Sequence, residues 1–156
     1  MYARDEAIIA TPIGTIRLTS EGSTLTSVTI SRNLAIAAPA NAVLRQAQNE
    51  MDQWFAGERQ LFSLPLAAPV SPRGQTLRDA IAAIGYGETL SYGALARQIG
   101  SGARAIGQAC ARNPFPIIIP CHRVLAAQGR LGAYSGAEGP VTKQWLLDFE
   151  RAHLPD

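Results

Sequence analysis

The first half of the chain alternates short apolar segments with turn residues. Segments rich in Thr, Ile and Val are separated by Gly14 and by Glu21-Gly22-Ser23, a pattern typical of short β-strands. We predict strands at residues 6–11, 15–20 and 24–30. Together they are expected to form an antiparallel meander.

After these strands, apolar residues recur at the spacing of an amphipathic helix: Leu44, Ala47, Met51, Trp54 and Phe55. Asn41 before this pattern and Gly57 after it are helix start and stop signals. We expect the two aromatic residues to belong to a core rather than to a ligand site. Nothing in this half of the chain indicates catalytic chemistry.

A change of pattern divides the chain near its middle. Prolines in residues 67–72 separate the strand-rich half from a half that is predicted to be mainly helical. We predict an N-terminal domain at residues 1–68 and a C-terminal domain at residues 69–156. Strands followed by helices indicate the α+β class.

The helical half opens with a cap signal. Ser71-Pro72 is typical of a helix cap and first turn. The helix that it begins carries Leu77, Ile81 and Ile84, and it is predicted to end at Gly85-Tyr-Gly87.

Two short helices joined by a tight Gly-Ser corner follow. Ser91 can cap the first helix and Gly100 can end it, and Ser101 can cap the second, which runs to Ala111. This pattern predicts a helix-turn-helix, in which the second helix is the usual reading element and Arg104 lies in its first turn. A purely structural helix pair is the alternative.

Arginines without acidic neighbours surround these two helices. Between residues 89 and 137 there is no Asp or Glu, and the arginines are Arg97, Arg104, Arg112, Arg123 and Arg130. Such a segment is either a solvated face or a surface that binds phosphates by releasing counterions. The net charge of the whole chain is only +2, so a nucleic-acid partner is indicated by the distribution of the charges and not by their sum.

The segment Pro114-Phe-Pro-Ile-Ile-Ile-Pro120 combines prolines, which exclude a helix, with isoleucines, which favour burial. We predict an extended and mostly buried segment that delivers Cys121 at its end. Glycines at positions 129, 132, 136 and 139 then predict a loop. Pro140 begins a last helix, whose apolar stripe is formed by Val141, Trp145 and Phe149.

Composition narrows the class of protein. A length of 156 residues and a hydrophobic content of 47% are typical of a soluble globular protein. Because no apolar run matches a membrane span and no signal peptide is recognisable, we predict a cytoplasmic protein. Cys110 and Cys121 are too few for a disulfide framework, so we expect free thiols, with Cys110 a buried structural residue. The Cys and His residues lack the paired spacing of a zinc site, and no metal is predicted.

Cys121 is followed directly by two basic residues, His122 and Arg123. Nearby positive charge lowers the pKa of a thiol, so these neighbours suit a nucleophile, while a small buried side chain is the alternative. Adjacent side chains of an extended segment point to opposite faces, so the imidazole would need a turn or one bridging water to reach the sulfur. The imidazole also needs an orienting acceptor, for which Glu150 and Asp148 are the candidates.

Five motifs follow one another through the second half of the chain: Tyr86-Gly-Glu-Thr-Leu-Ser-Tyr92, Ala103-Arg-Ala-Ile-Gly107, Pro120-Cys-His-Arg-Val124, Gly132-Ala-Tyr-Ser-Gly136 and Lys143-Gln-Trp-Leu-Leu-Asp-Phe-Glu150. In this order and spacing they resemble the methylated-DNA-protein-cysteine methyltransferases, also called O6-alkylguanine-DNA alkyltransferases. The first half matches loosely, through Thr11-Pro-Ile-Gly14 and Trp54-Phe-Ala-Gly57. The resemblance implies a small ribonuclease-H-like antiparallel sheet with a helix, followed by a mainly helical domain with a winged-helix-like helix-turn-helix.

The resemblance also implies a reaction. The Cys121 thiolate would displace guanine from the carbon bound to its O6 atom, while His122, acting through water and held by Glu150, takes the thiol proton. Tyr92 would donate a hydrogen bond to the departing base. The thioether product has no good leaving group, so each molecule would act once, without a metal or organic cofactor. This reaction requires a sulfur that is open to an extruded base.

The implied partner is double-stranded DNA that contains O6-alkylguanine, with O4-methylthymine as a second candidate lesion. We expect a monomer that does not bind membranes. The recognition helix would enter the minor groove, where Arg104 fills the gap left by the flipped base. The other implied DNA-binding residues are Ser91, Ala103 and Arg123. The implied substrate-binding residues are Asn113, which is also the hinge before the reactive segment, Val124, Tyr134, Ser135 and Lys143.

The first helix of the second half departs from the family pattern. Arg73-Gly74 stands where family members usually carry an aromatic residue and a glutamine, and Leu77-Arg78 replaces a Val-Trp pair. We expect altered packing there, without loss of a reactive group. Two other functions remain open: a non-catalytic module that binds alkylated DNA, and a cysteine hydrolase that uses Cys121 and His122.

Overall fold

The computed structural model describes residues 5–132, 134, 136 and 138–155. They form two compact units, divided between Ala67 and Ala68. Strands come first and helices afterwards, which confirms the predicted α+β class. None of the described helices combines the length and the apolar composition that a membrane crossing requires.

The first unit contains an antiparallel sheet in the order β1-β2-β3. The strands are β1 (Asp5–Thr11), β2 (Gly14–Glu21) and β3 (Thr24–Ser31). Ile9 pairs with Ile16 and Leu18 pairs with Val28, and all four side chains are buried. Such apolar cross-strand pairs stabilise one register. The predicted meander is confirmed.

Helix α1 (Ala42–Phe55) packs against this sheet. The Oδ1 atom of Asn41 caps the helix by accepting from a first-turn N–H at 3.0 Å, and its Nδ2 atom donates to Ser20 at 2.9 Å. The cap residue therefore also fixes the helix to strand β2. Trp54 is fully buried, as predicted, whereas Phe55 is only half-buried.

The described part of the second unit contains four α-helices and a two-stranded parallel ladder. The helices are α2 (Pro72–Ala82), α3 (Tyr92–Ile99), α4 (Ala103–Ala111) and α5 (Pro140–Ala152). The ladder pairs β4 (Leu90–Ser91) with β5 (Val124–Leu125). A single turn of 3₁₀ helix lies at Cys121–Arg123, and Ala127–Gly129 forms a further turn in which Gln128 has φ of 61°. The largest fully buried apolar side chains of this unit are Leu95, Ile106, Phe115, Ile117 and Leu146.

Helices α3 and α4 form the predicted helix-turn-helix. Ser91 caps α3 by accepting from a first-turn N–H at 3.0 Å, and Gly100 ends it in the left-handed conformation, with φ of 65°. The predicted cap of α4 is wrong, because Gly102 occupies the cap position and, among the described residues, no side chain caps this helix. The Ser101 hydroxyl instead accepts from Nη2 of Arg73 at 2.6 Å.

Residues 114–120 fold into a turn instead of the predicted extended segment. The N–H of Ile119 donates to the carbonyl of Phe115 at 2.9 Å, and Ile117 has φ of 75°. Asn113 explains the reversal, because Oδ1 accepts from the Phe115 N–H and Nδ2 donates to the Ile119 carbonyl, each at 2.9 Å. The segment is mostly buried, as predicted, since Phe115, Ile117 and Ile119 are at most 7% exposed, whereas Ile118 is partly buried and Pro114 is exposed.

Helix α5 buries a different face from the predicted one. Val141 is 66% exposed, and the partly buried rings of Trp145 and Phe149 stack on each other with centroids 5.1 Å apart. The buried face includes the polar residues Lys143 and Glu150. The predicted stripe is wrong for two reasons. The two aromatic residues, four positions apart, stack on each other, and the buried face contains polar residues that an apolar pattern does not detect.

Candidate active site

Cys121 lies in a single turn of 3₁₀ helix, which separates its side chain from that of His122. The N–H of Cys121 donates to the Ile119 carbonyl at 2.7 Å, and the N–H of Arg123 donates to the Pro120 carbonyl at 2.9 Å. Successive side chains of a 3₁₀ turn point about 120° apart. The predicted alternation between two opposite faces is therefore wrong here.

The sulfur of Cys121 has a polar neighbour that the sequence did not reveal. Nδ2 of Asn113 donates to Sγ at 3.1 Å while it also binds the Ile119 carbonyl. Asn113 itself is 9% exposed and is fixed by the turn that follows it. A hydrogen bond from a neutral donor to an ionised acceptor is stronger than one to a neutral acceptor. Asn113 is therefore placed to stabilise a thiolate.

The Cys121 side chain has no exposed surface. The expectation of a sulfur open to an extruded base is therefore not met in this structure. Residues 119–124 are all buried, so the sulfur lies within a packed segment. A base can reach it only after side chains that cover it have moved.

His122, Glu150 and Arg123 form a buried hydrogen-bonded cluster. Nε2 of His122 lies 2.7 Å from Oε2 of Glu150. Nε and Nη2 of Arg123 donate to the same carboxylate, at 3.0 Å to Oε1 and 2.7 Å to Oε2. The exposed fractions of these residues are 0% for His122, 0% for Glu150 and 5% for Arg123. Asp148, the other candidate acceptor, is exposed and accepts from Gln144.

The cluster sets the charge of its members. Burial alone would raise the pKa of Glu150, but hydrogen bonds from His122 and Arg123, and the positive charge of Arg123, lower it to about 2. Burial also lowers the pKa of His122, and the bond to Glu150 offsets this only in part. The imidazole is therefore neutral near pH 7. We assign its proton to Nε2, because a carboxylate can only accept, which makes Nδ1 the basic atom.

The segment after α2 completes the enclosure of the carboxylate. The N–H of Gly87 donates to Oε1 of Glu150 at 3.1 Å, and Nη1 of Arg123 donates to the Ile84 carbonyl at 2.7 Å. The Tyr86 ring lies against the guanidinium, 5.5 Å from its central carbon. Gly85-Tyr-Gly87 was predicted to be a helix stop, and Tyr86 and Gly87 also belong to the first family motif, but neither was predicted as a site residue. The available signal was an aromatic residue between two glycines, which indicates a backbone that can approach another group closely.

Lys143 joins the reactive segment to the helix-turn-helix. It is fully buried, its Nζ atom donates to the Val124 carbonyl at 2.6 Å, and it lies 5.7 Å from the centre of the Tyr92 ring. Burial lowers the pKa of Lys143, and the thiols of Cys110 and Cys121 oppose that shift. The structure thus brings together Lys143, Val124 and Tyr92, all of which were predicted as site residues.

Tyr134 also lies near the thiol of Cys121. It is 9% exposed, and its hydroxyl has no hydrogen-bond partner among the described residues. Burial raises its pKa well above the ordinary value of a tyrosine, and charge on Cys121 would raise it further. Cys110 is fully buried, as predicted, and burial raises its pKa to about 12, so this second thiol stays protonated. Ser135, a further predicted substrate contact, lies outside the described residues.

The predicted DNA-binding residues divide into two groups. Arg104 and Ala103 are exposed in the first turn of α4, and Ser91 is half-buried as the cap of α3. Arg123 does not fit this role, because its guanidinium is buried against Glu150. The acid-free segment in which it lies predicted a solvated or phosphate-binding face, but its guanidinium points inward to Glu150. Within the described residues, no three His, Cys, Asp or Glu side chains cluster to form a metal site.

Comparisons with known proteins cover both units. The family model for the DNA-binding domain of 6-O-methylguanine DNA methyltransferase matches residues 73–152, and the model for its ribonuclease-like domain matches residues 6–68. A methylated-DNA-protein-cysteine methyltransferase of Mycobacterium leprae is 39% identical over 147 residues, which are 90% of this chain and 88% of that protein. A DNA base-flipping protein of Thermus thermophilus is 42% identical over 113 residues, which are 71% of this chain and 76% of that protein.

Solved structures also resemble this chain over most of its length. The O6-methylguanine methyltransferase of Mycobacterium tuberculosis superimposes with a TM-score of 0.84 at 34% identity, covering 98% of this chain and 96% of that one. A crystal structure of the Mycobacterium tuberculosis OGT in complex with DNA gives a TM-score of 0.80 at 37% identity, with coverage of 95% and 93%.

Proposed function

Because this chain belongs to the 6-O-methylguanine DNA methyltransferase family, we propose that it repairs DNA by direct alkyl transfer to Cys121. The group transferred is the methyl or larger alkyl group of O6-alkylguanine, and O4-methylthymine is a second candidate lesion. The observation that supports this assignment is the buried arrangement around Cys121. Asn113 donates a hydrogen bond to its sulfur, and the next residue, His122, is hydrogen-bonded to Glu150.

The chemical step is a displacement at a saturated carbon. The bond from Sγ of Cys121 to the alkyl carbon forms as the bond from that carbon to guanine O6 breaks, and guanine leaves with the electron pair. The thiol proton passes through one water to Nδ1 of His122. The ionised Glu150 then stabilises the imidazolium, as its low pKa permits. Tyr92 donates a hydrogen bond to the departing base.

The product explains why each molecule acts once. A thioether has no good leaving group, and the neighbouring thiol of Cys110 stays protonated because burial raises its pKa to about 12. Nothing in the proposed mechanism regenerates the Cys121 thiol. The protein is therefore consumed in proportion to the lesions that it repairs.

Duplex DNA has to deliver the lesion to a closed site. The alkyl group is out of reach inside the stack, so the nucleotide must be extruded, at a cost of a few kcal/mol that is lowest for a badly paired base. Arg104, exposed at the start of α4, is the residue that we assign to the gap in the stack. Since Cys121 has no exposed surface, entry of the base also requires movement of the atoms that cover it. We place this activity in the cytoplasm, where a reducing environment keeps both cysteines as thiols.

The test is transfer of label from DNA that carries a radioactive methyl carbon at guanine O6. The proposal predicts protein-bound label that saturates near one methyl group per chain, and no transfer to Cys121→Ser, which should still bind DNA. Binding without transfer would favour the non-catalytic module. Repeated turnover of an ester or amide would favour the cysteine hydrolase.

A second variant examines the extrusion step. Arg104→Ala should slow repair of duplex DNA much more than reaction with free O6-alkylguanine base, because the free base needs no gap to be filled. Equal losses with both substrates would remove Arg104 from this role.

A further inference from the structure

Arg73 is a departure from the family pattern that the proposed function does not use. The other unusual arginine on α2, Arg78, lies over the Phe115 ring, 5.1 Å from its centre, and therefore packs into its own unit. Arg73 is exposed instead, and its Nη2 atom donates to the Ser101 hydroxyl at 2.6 Å. Ser101 belongs to the corner between the two helices of the helix-turn-helix.

We propose that Arg73 and the corner Gly100-Ser101-Gly102 bind a backbone phosphate of the DNA beside the recognition helix. This inference rests on the proposed function, because it adds a contact to the same DNA interface. The bond to Ser101 holds the guanidinium three residues before Arg104, which is itself exposed on α4. A phosphate bound here would flank the flipped nucleotide.

The chemistry of the guanidinium suits a phosphate. Arginine carries five N–H donors in a planar fork, and the Ser101 bond uses only Nη2. The segment from residue 89 to residue 137, which includes the corner, contains no Asp or Glu to neutralise the charge. The nearest acidic residue along α2, Asp79, accepts from Gln75, so its carboxylate is engaged within that helix.

Gly102 supplies an independent observation. Its φ of −95° and ψ of 148° are open to any residue, and a Cβ atom at this position would meet nothing within 4 Å. Neither backbone conformation nor packing within the protein therefore requires glycine here. A glycine with open space in front of it allows another backbone to approach closely. A DNA strand is the partner that fits both this space and the adjacent arginine.

The experiment measures the salt dependence of DNA binding. Fluorescence anisotropy with an undamaged duplex, which cannot alkylate the protein, gives affinities between about 50 and 200 mM salt. One lost phosphate contact lowers the slope of log K against log salt by about 0.9. We expect this decrease in Arg73→Gln and a slope close to wild type in Arg73→Lys. Arg45→Gln, which removes an exposed arginine from α1, is the matched control and should leave the slope unchanged.

The outcomes separate this inference from the proposed function. A wild-type slope in Arg73→Gln, together with normal methyl transfer, overturns the phosphate contact and leaves the repair function intact. A lower melting temperature in Arg73→Gln with an unchanged slope also overturns it, since the Ser101 bond would then be only structural. A wild-type protein that neither binds DNA nor accepts a methyl group overturns both.

Discussion

Replacing Glu150 by glutamine tests the buried cluster that orients the proposed base. The substitution keeps the shape of the side chain and removes the charge that Arg123 faces at 2.7 Å. The pKa of Glu150 is about 2, against an ordinary value of 4.5. At about 1.4 kcal/mol for each pKa unit, the ionised carboxylate stabilises the folded state by roughly 3 kcal/mol at neutral pH.

The sign of this effect follows from a folded-state pKa that lies below the unfolded one. The stabilisation is fully present above pH 4.5 and is lost as the pH falls towards 2. Removing one partner of a buried ion pair costs about 3 to 5 kcal/mol, which is of similar size. We therefore expect Glu150→Gln to lose about 3 kcal/mol of unfolding free energy at neutral pH.

Urea denaturation followed by circular dichroism at about pH 7.5 measures this loss, under conditions where a free imidazole is neutral. The transition midpoint should fall by about 1 to 3 M with an unchanged slope. Asp148→Asn is the control on the same helix, because its carboxylate is exposed, and it should change stability by less than about 0.5 kcal/mol. A loss below about 1 kcal/mol in Glu150→Gln, or equal losses in the two variants, would show that the buried carboxylate does not stabilise the fold through its charge.

Three further predictions concern the neighbours of this cluster. Arg123→Met should destabilise the protein by about 3 to 5 kcal/mol in urea and leave the salt slope of DNA binding unchanged, whereas a lower slope would restore its predicted DNA contact. Gly132→Ala should slow methyl transfer, because its Cβ atom would overlap the Tyr92 hydroxyl. Gly129→Ala is the control, since Gly129 has a similar positive φ but open space around it, and this variant should transfer at the wild-type rate. Equal slowing in both variants would implicate backbone strain alone. The wild-type transfer rate should hold its plateau as the pH falls through 6.5, the ordinary pKa of imidazole, because burial lowers the pKa of His122. Quenched time courses that show half the rate at or above pH 6.5 would contradict this.

Local signals in the sequence predicted the local parts of the fold. Asn41, Ser71 and Ser91 each accept a first-turn N–H of the helix that they were predicted to cap. The strands were predictable because threonine and branched apolar residues alternate between turn residues. Ser101 failed as a cap because a helix can begin one residue later when another group, here Arg73, binds the hydroxyl.

The geometry of the site depends on contacts between distant residues, which no local pattern contains. The turn before Cys121 is created by the Asn113 side chain, so a proline-rich segment that reads as extended folds back on itself. Arg123 was predicted as a DNA contact, but the carboxylate of Glu150, 27 residues later, binds its guanidinium in a buried position. Resemblance to the family supplied the pairing of His122 with Glu150, which spacing alone left open between two acids.

The location of the transferred group decides whether Cys121 is the residue that accepts it. After exposure to duplex DNA containing O6-methylguanine, the intact protein is weighed by mass spectrometry and its proteolytic peptides are sequenced. We predict a gain of one methylene unit, carried entirely by the peptide that contains Cys121. A protein of unchanged mass, or a methyl group on Cys110, would contradict the account.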